Sequence, residues 1–220
     1  MKYFLGLSGF AVASALVSGQ ALAAEDSGID LGLRLGYGIP LGSAAENEKL
    51  NDLVSGQVPI WVDAGYRFTP NIMAGLYFQY GFAFLPDSSC PSPASCSASD
   101  IRFGIQGQYR FMPRESVDPW LGLGIGYEWL DYSVSAGGFD ASAGVHGWEF
   151  LHLQGGADFK VADGFGIGPF LDFSLGQYSS GSVTTSALPV LGQPVSGSGD
   201  IQNKALHEWL TLGVRAVFDP

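Results

Sequence analysis

The sequence predicts an all-β chain: an eight-stranded antiparallel up-and-down transmembrane β-barrel, preceded by a cleaved signal peptide. Three observations carry that prediction. Eight segments alternate apolar and polar residues with a period of two. The connections between them alternate long and short. Beyond the N-terminal leader, no stretch approaches the roughly 20 continuous apolar residues of a membrane-spanning helix. Composition agrees, with 32 glycines, 13% aromatic and only 14% charged residues in 220, and a mean hydropathy of +0.18 reached without any long apolar run.

The leader comes first. "MKYFLGLSGFAVASALVSGQALA" has Lys2, an apolar stretch, and Ala21-Leu22-Ala23 as a small-x-small cleavage site, the grammar of a secretory signal peptide. The domain division is therefore residues 1–23 as signal peptide and 24–220 as the barrel domain. Cleavage removes one cation and no acid, so the exported chain is more acidic than the full-length net charge of −11. That balance argues against nucleic acid as a partner.

The strands follow in order. In "IDLGLRLGYGI" (29–39), Leu31, Leu33, Leu35, Tyr37 and Ile39 share one face while Asp30 and Arg34 share the other. "VPIWVDAGYRF" (58–68) sets its apolar phase against Asp63 and Arg67, and "IMAGLYFQYGFAF" (72–84) against Tyr77 and Gln79. "IRFGIQGQYRF" (101–111) opposes Ile101, Phe103, Ile105, Tyr109 and Phe111 to Arg102, Gln106, Gln108 and Arg110. "LGLGIGYEW" (121–129) opposes its apolar phase to glycines and Glu128, and "LHLQGGADFKV" (151–161) to His152, Gln154, Asp158 and Lys160. "FGIGPFLDFSL" (165–175) carries Asp172 and Ser174 on the polar phase. The eighth segment starts at Leu210 and carries Arg215.

Across all eight, the apolar phase holds no charged residue. The charges Asp30, Arg34, Asp63, Arg67, Arg102, Arg110, Glu128, Asp158, Lys160, Asp172 and Arg215 all fall on the opposite phase. A soluble sandwich also alternates, but its polar face is typically rich in Lys, Glu, Thr and Ser. Here that face is dominated by glycine, a few charges of both signs and the bulky Trp61, Tyr77, Trp120, Phe170 and Trp209. Such a set suits a confined interior, with the apolar face toward lipid.

Long connections are expected at 40–57, 85–100, 130–149 and 176–208, and short ones at 69–71, 112–119 and 162–164. An outer-membrane barrel has short periplasmic turns and longer external loops, so both termini are expected to be periplasmic. Aromatic residues concentrate at strand ends: Tyr66, Phe68, Tyr109, Phe111, Phe159 and Phe218 at one end, Tyr37, Phe82, Phe84, Tyr127, Trp129 and Phe173 at the other. They are expected to form two interfacial girdles. Pro169 lacks a ladder donor, so a bulge or local break is expected there. Cys90 and Cys96, close together in an exported chain, are expected to form a disulfide that pins a loop. A metal pair is the competing use, and that segment offers neither a His nor a third Cys.

With the leader, the strand grammar and the terminal strand "HEWLTLGVRAVFDP" on the page, the chain resembles the small eight-stranded outer-membrane barrels of the OmpA/OmpX type, the outer membrane protein beta-barrel domain family. The resemblance covers about residues 25 to 220. It implies residence in the outer membrane of a Gram-negative-type bacterium, contact with outer-membrane lipid and lipopolysaccharide, and insertion by the barrel assembly machinery. Family members usually finish on an aromatic that this machinery reads; Phe218 holds that position, with Asp219 and Pro220 after it.

Function is less fixed, because fold does not determine it. An eight-stranded barrel is just wide enough inside for side chains to fill, so the inward charges are expected to pair as a plug. The expected role is structural or surface-interacting, with an extracellular partner of unknown identity met through the long loops. A narrow channel or small-molecule carrier is the alternative. A third reading comes from small outer-membrane barrels that are lipid A deacylases or acyltransferases. Of the 3 histidines, His146, His152 and His207, none sits in the His-x-Ser spacing of the deacylases. Enzymatic activity is therefore not expected, and no catalytic, cofactor or metal residue is assigned.

Overall fold

Eight strands are each hydrogen-bonded to the next, and the last returns to the first. A computed structural model describes residues 27–86, 89–90, 92–186 and 194–219; the leader expected at 1–23 lies outside the described residues. The elements are β1 (Gly28–Ala45), β2 (Glu48–Lys49), α1 (Leu50–Leu53), β3 (Gly56–Arg67), β4 (Ile72–Phe84), β5 (Ser95–Arg110), β6 (Val117–Ala136), β7 (Phe139–Ala162), β8 (Phe165–Thr185), β9 (Val195–Asp200) and β10 (His207–Phe218). β1, β3 to β8 and β10 form a closed antiparallel ring of eight, sealed where β10 pairs with both β8 and β1. Closure leaves the ring no free edge, the condition for a sheet in hydrocarbon. β2 and β9 are accessory strands paired to β1 and β8.

The alternation maps onto two surroundings. On the outer face Leu33 is 55% exposed and Leu212 is 64% exposed, while the inward Arg34 and Arg215 are 0% and 1% exposed. Outward rings pack into belts. Tyr66 with Phe68 and Tyr109 with Phe111 lie toward the short-turn end. Tyr80 with Phe82, and Tyr127 with Trp129 and Trp148, lie toward the long-loop end.

The expected bounds of the long connections need correction. The connection expected at 130–149 is paired strand: β6 and β7 stay in register out to Ala136 and Phe139. The turn is only Gly137–Gly138, both at positive φ, the backbone that a two-residue hairpin turn demands. Likewise β8 runs to Thr185 inside the stretch expected as the last long loop. Hydrogen bonding continues where the outward apolar signal stops, so the ladder outlasts the lipid-facing pattern. Pro169 brings the local break that was one of its two expected outcomes, and no bulge. It still opposes Val214 of β10, and on the β7 side the ladder lapses at Ala157 and Asp158 while the register stays the same on either side.

Bulges occur elsewhere. The β6–β7 register shifts between Gly124 and Gly126, and the β7–β8 register shifts between Glu149 and Leu151, leaving Phe150 as the extra residue. Phe150 is outward, and Glu149 and His152 both turn inward and are fully buried. At the ring's seam Arg34 and Arg215 are direct cross-strand neighbours. A disulfide joins Cys90, in the connection after β4, to Cys96 near the start of β5.

Candidate functional site

The inward faces of the ring converge on a stack of polar and aromatic side chains. Residues opposite one another in an antiparallel ladder share a face, so the register fixes which side chains enter the lumen. What they do there is set by the cost of an unpaired buried charge, several kcal/mol per ion.

Nearest the short turns, Asp30 gathers three guanidiniums: Arg67 at 2.8 Å, Arg110 at 3.3 Å and Arg215 at 3.9 Å. Arg110 also reaches Asp118 at 2.6 Å and Asp158 at 3.5 Å, and Arg215 lies 3.6 Å from Asp158. Arg215 is stacked over the Trp120 ring at 4.3 Å, a desolvated cation–π contact. Asp219, just past β10, pairs with Arg67 and Arg110. Burial opposes its ionisation, but the hydrogen bond from Arg67 and the charge of Arg110 outweigh it and hold the carboxyl below the usual range.

At the centre, Arg34 grips Asp63 through two bonds of 2.8 Å and donates to Gln154 Oε1 at 2.7 Å. Gln106 donates to Asp63 at 2.9 Å, and Gln154 donates to Gln106. The Arg34 guanidinium lies 5.0 Å from the Trp61 ring centre and 5.5 Å from that of Phe170. Bidentate geometry with ring stacking is an arrangement that Arg makes and Lys does not.

Above this, Arg102 faces Asp100 at 2.8 Å, Glu128 at 3.6 Å and Glu149 at 3.8 Å, and donates to Ser174. His152 lies between two carboxylates, with Nδ1 3.1 Å from Glu149 and Nε2 2.6 Å from Asp172. The Tyr77 hydroxyl donates to Glu149. Gln57 and Gln79 donate to Asp100. Glu128 accepts from Tyr178 at 2.6 Å and Trp209 at 3.1 Å, with His207 Nε2 at 2.9 Å. The Tyr178 and His207 rings stack at 4.0 Å. Leu50, Val54 and Leu130 pack over this layer together with Tyr178 and Trp209.

Ten of the eleven charges expected inside thus sit buried or half-buried in the lumen or at its turn-end mouth. Lys160 lines that mouth but is exposed, and its Nζ reaches the Pro113 carbonyl in the β5–β6 turn. The register shifts between Lys160 and Ala162, at the strand's end, where a long stem carries its ammonium to water. Arg215 meets Asp30 and Asp158, whereas Asp172 is taken by His152. Asp100, Asp118, Glu149, His207 and Asp219 join the network without having been expected there. Asp100 and Asp118 were legible, since each is in phase with its strand's inward residues Arg102 and Trp120. Glu149 was hidden by the bulge at Phe150.

Cavities lie at both ends of this stack. One of about 520 Å³ opens among Arg67, Arg110, Asp158 and Asp219. Another of about 700 Å³ opens above Leu130 and Val54. Between them Trp61, Arg34, Tyr77, Phe170, Arg102 and Trp209 are all fully buried.

Residues 9–202 match the family described as outer membrane protein beta-barrel domain. No curated protein sequence matches the chain. Among solved structures, it is similar to a major outer membrane protein from Thermus thermophilus, at 11% identity over 87% of this chain and 99% of that one, with a TM-score of 0.55. Neisserial surface protein A shares 16% identity over 87% of this chain and 98% of its own, with a TM-score of 0.47. Ail of Yersinia pestis shares 14% over 86% and 98%, with a TM-score of 0.44. At these identities the likeness is one of fold.

Proposed function

The chain belongs to the outer membrane protein beta-barrel domain family, and from that membership we propose that it is a non-conducting outer-membrane barrel that acts through its long-loop end. Both termini are periplasmic in this reading, because the short turns lie at the end where β1 begins and β10 stops. The outer apolar band meets outer-membrane lipid and lipopolysaccharide, and insertion is by the barrel assembly machinery.

The observation that carries the proposal is the packing between the two end cavities. Trp61 and Phe170 stack on an Arg34 already bonded to Asp63 and Gln154. Above them Arg102 is surrounded by three carboxylates. A solute would have to break fully buried ion pairs at successive levels, each costing several kcal/mol. A role for the long-loop end is supported by strands β6, β7 and β8, which at 20, 24 and 21 residues project beyond the roughly 9 to 11 that cross a bilayer, and in this reading that projecting end meets a surface partner.

Planar-bilayer recording of the purified barrel tests this. No current steps are expected at any potential the bilayer tolerates. Regular steps scaling with salt concentration would replace this reading with the channel reading.

A further inference from the structure

The inner face of the barrel changes character partway up. On β6 the outward residues are Leu121, Leu123, Ile125, Tyr127 and Trp129, with Glu128 inward; two residues beyond Glu128 the inward positions are Leu130 and Tyr132, and the outward ones Asp131 and Ser133. The apolar phase has crossed from one face to the other. The neighbours agree, because Leu130 opposes Val145 and Tyr132 opposes Ala143. Val145 and Ala143 in turn oppose Gly181 and Val183, which oppose Gly199 and Gly197. Asp131, Gly144, Ser182 and Ser198 form the other face of the same rows. Below the switch the barrel is oily outside and polar inside; above it, polar outside and oily inside.

That upper arrangement is the pattern of a water-soluble barrel, and eight-stranded soluble barrels are wide enough to hold one small ligand. The 700 Å³ cavity lies within this upper part, lined by Val54, Leu85, Leu130, Tyr132, Val145 and Val183 among others. Its size falls inside the range of about 300 to 1,000 Å³ typical of small-molecule sites. The floor is sealed by Leu50, Val54 and Leu130 over Tyr178 and Trp209. The Tyr132 hydroxyl already donates to the Ser89 carbonyl at 3.0 Å, so Tyr132 offers the site its ring. Glycines stand where wall side chains would intrude: a Cβ on Gly199 or Gly197 meets nothing within 4 Å. Among the described residues, the charged ones at the cavity are Asp52 and, on the outer face at its rim, Asp131, with no Lys or Arg.

We infer that this cup is a binding site for one small apolar molecule that is neutral or cationic. Acidic lining with no basic partner selects against an anionic head. The inference rests on the reading that the long-loop end is the functional end, and it names the chemistry that end recognises.

The test uses two probes built on the same anilinonaphthalene rings: neutral N-phenyl-1-naphthylamine and anionic 8-anilino-1-naphthalenesulfonate. Each is titrated into the full barrel in nanodiscs, with empty nanodiscs as the blank. Saturable binding of one neutral probe per barrel is expected, with the sulfonate about tenfold weaker or more. The double substitution Gly181→Leu with Gly199→Trp fills the cup and abolishes the signal, whereas Ser196→Trp, on the opposite face of β9 and outside the lining, leaves it unchanged. Heat-shifted gel mobility verifies that each variant is folded. No saturable binding above the blank overturns the inference, as does undiminished binding to the folded filled variant or equal affinity for the sulfonate. The two proposals fail separately: a conducting barrel that still binds the probe removes only the closed lumen, and a silent barrel that does not bind removes only the cup.

Discussion

Glu149 and His152 stand three residues apart on one strand, yet their side chains meet at 3.1 Å inside the lumen. Regular alternation would send them to opposite faces. The extra residue Phe150 reverses the parity, and a bulge of this kind re-aims a side chain by design. Deletion of Phe150 is therefore expected to abolish the heat-shifted folded band on gels. It forces Glu149 or His152 out of the network and leaves Tyr77, Arg102 or Asp172 without its partner, a loss of about 3 to 5 kcal/mol. Phe150→Ala keeps the bulge, and the folded band is expected to persist.

Arg34 and Asp63 form the central bidentate pair. Arg34→Met is expected to destabilise by about 3 to 5 kcal/mol, because it strands a buried carboxylate. Adding Asp63→Leu is expected to recover part of that loss, since two apolar groups need no partner. A double-mutant cycle from urea unfolding in lipid vesicles reads the coupling, with about 1 to 3 kcal/mol of interaction free energy expected. Strict additivity would show that the pair is not the unit.

Asp219 titrates below the usual carboxylate range in the folded barrel, held there by Arg67 and Arg110 against the effect of burial. A carboxyl with a lowered folded value contributes stability above its unfolded value, and that contribution is lost as pH falls through the folded value. Asp219→Asn is thus expected to be less stable than the parent at neutral pH, and the difference is expected to vanish at the acid end. Urea midpoints measured down the acid limb check this; a gap independent of pH would count against it.

The Cys90–Cys96 bridge closes a loop with a sequence separation of 6. So short a loop limits its entropic contribution to about 2 kcal/mol, confined to its own segment. Replacing both cysteines with serine is expected to leave the folded gel band and the unfolding midpoint of the ring unchanged. Faster protease cleavage between β4 and β5 is the expected sign of its loss.

The ring itself was legible because lipid imposes one strict rule on every outward position within the membrane band, as at Leu33, Leu76, Leu123 and Leu212. The network was legible where that rule ran unbroken, as at Arg34, Asp63, Arg102 and Arg215. It failed where parity changed. Phe150 moved Glu149 to the inside, and beyond Trp129 the apolar residues Leu130 and Tyr132 crossed to the inner face, so paired strand read as loop. Each local sequence was consistent with strand, but period-two reading assumes a single phase; a bulge or a change of solvent breaks that assumption, and the marks it left were single charges on the apolar phase, Glu149 and Asp131.

The seam has a consequence for assembly. Arg34 on β1 and Arg215 on β10 are cross-strand neighbours, and like charges so placed repel. Only Asp30, 3.9 Å from Arg215, is on the seam strands; the other partners come from elsewhere, Asp63 from β3, Asp158 from β7, and the neutral Gln154 some 120 residues along the chain from Arg34. Zipping β10 onto β1 before β7 is in place would bring two guanidiniums together with half their partners missing. The charges at the joint between first and last strands are fully matched only once the intervening wall stands, which ties closure of the ring to strands far from the seam.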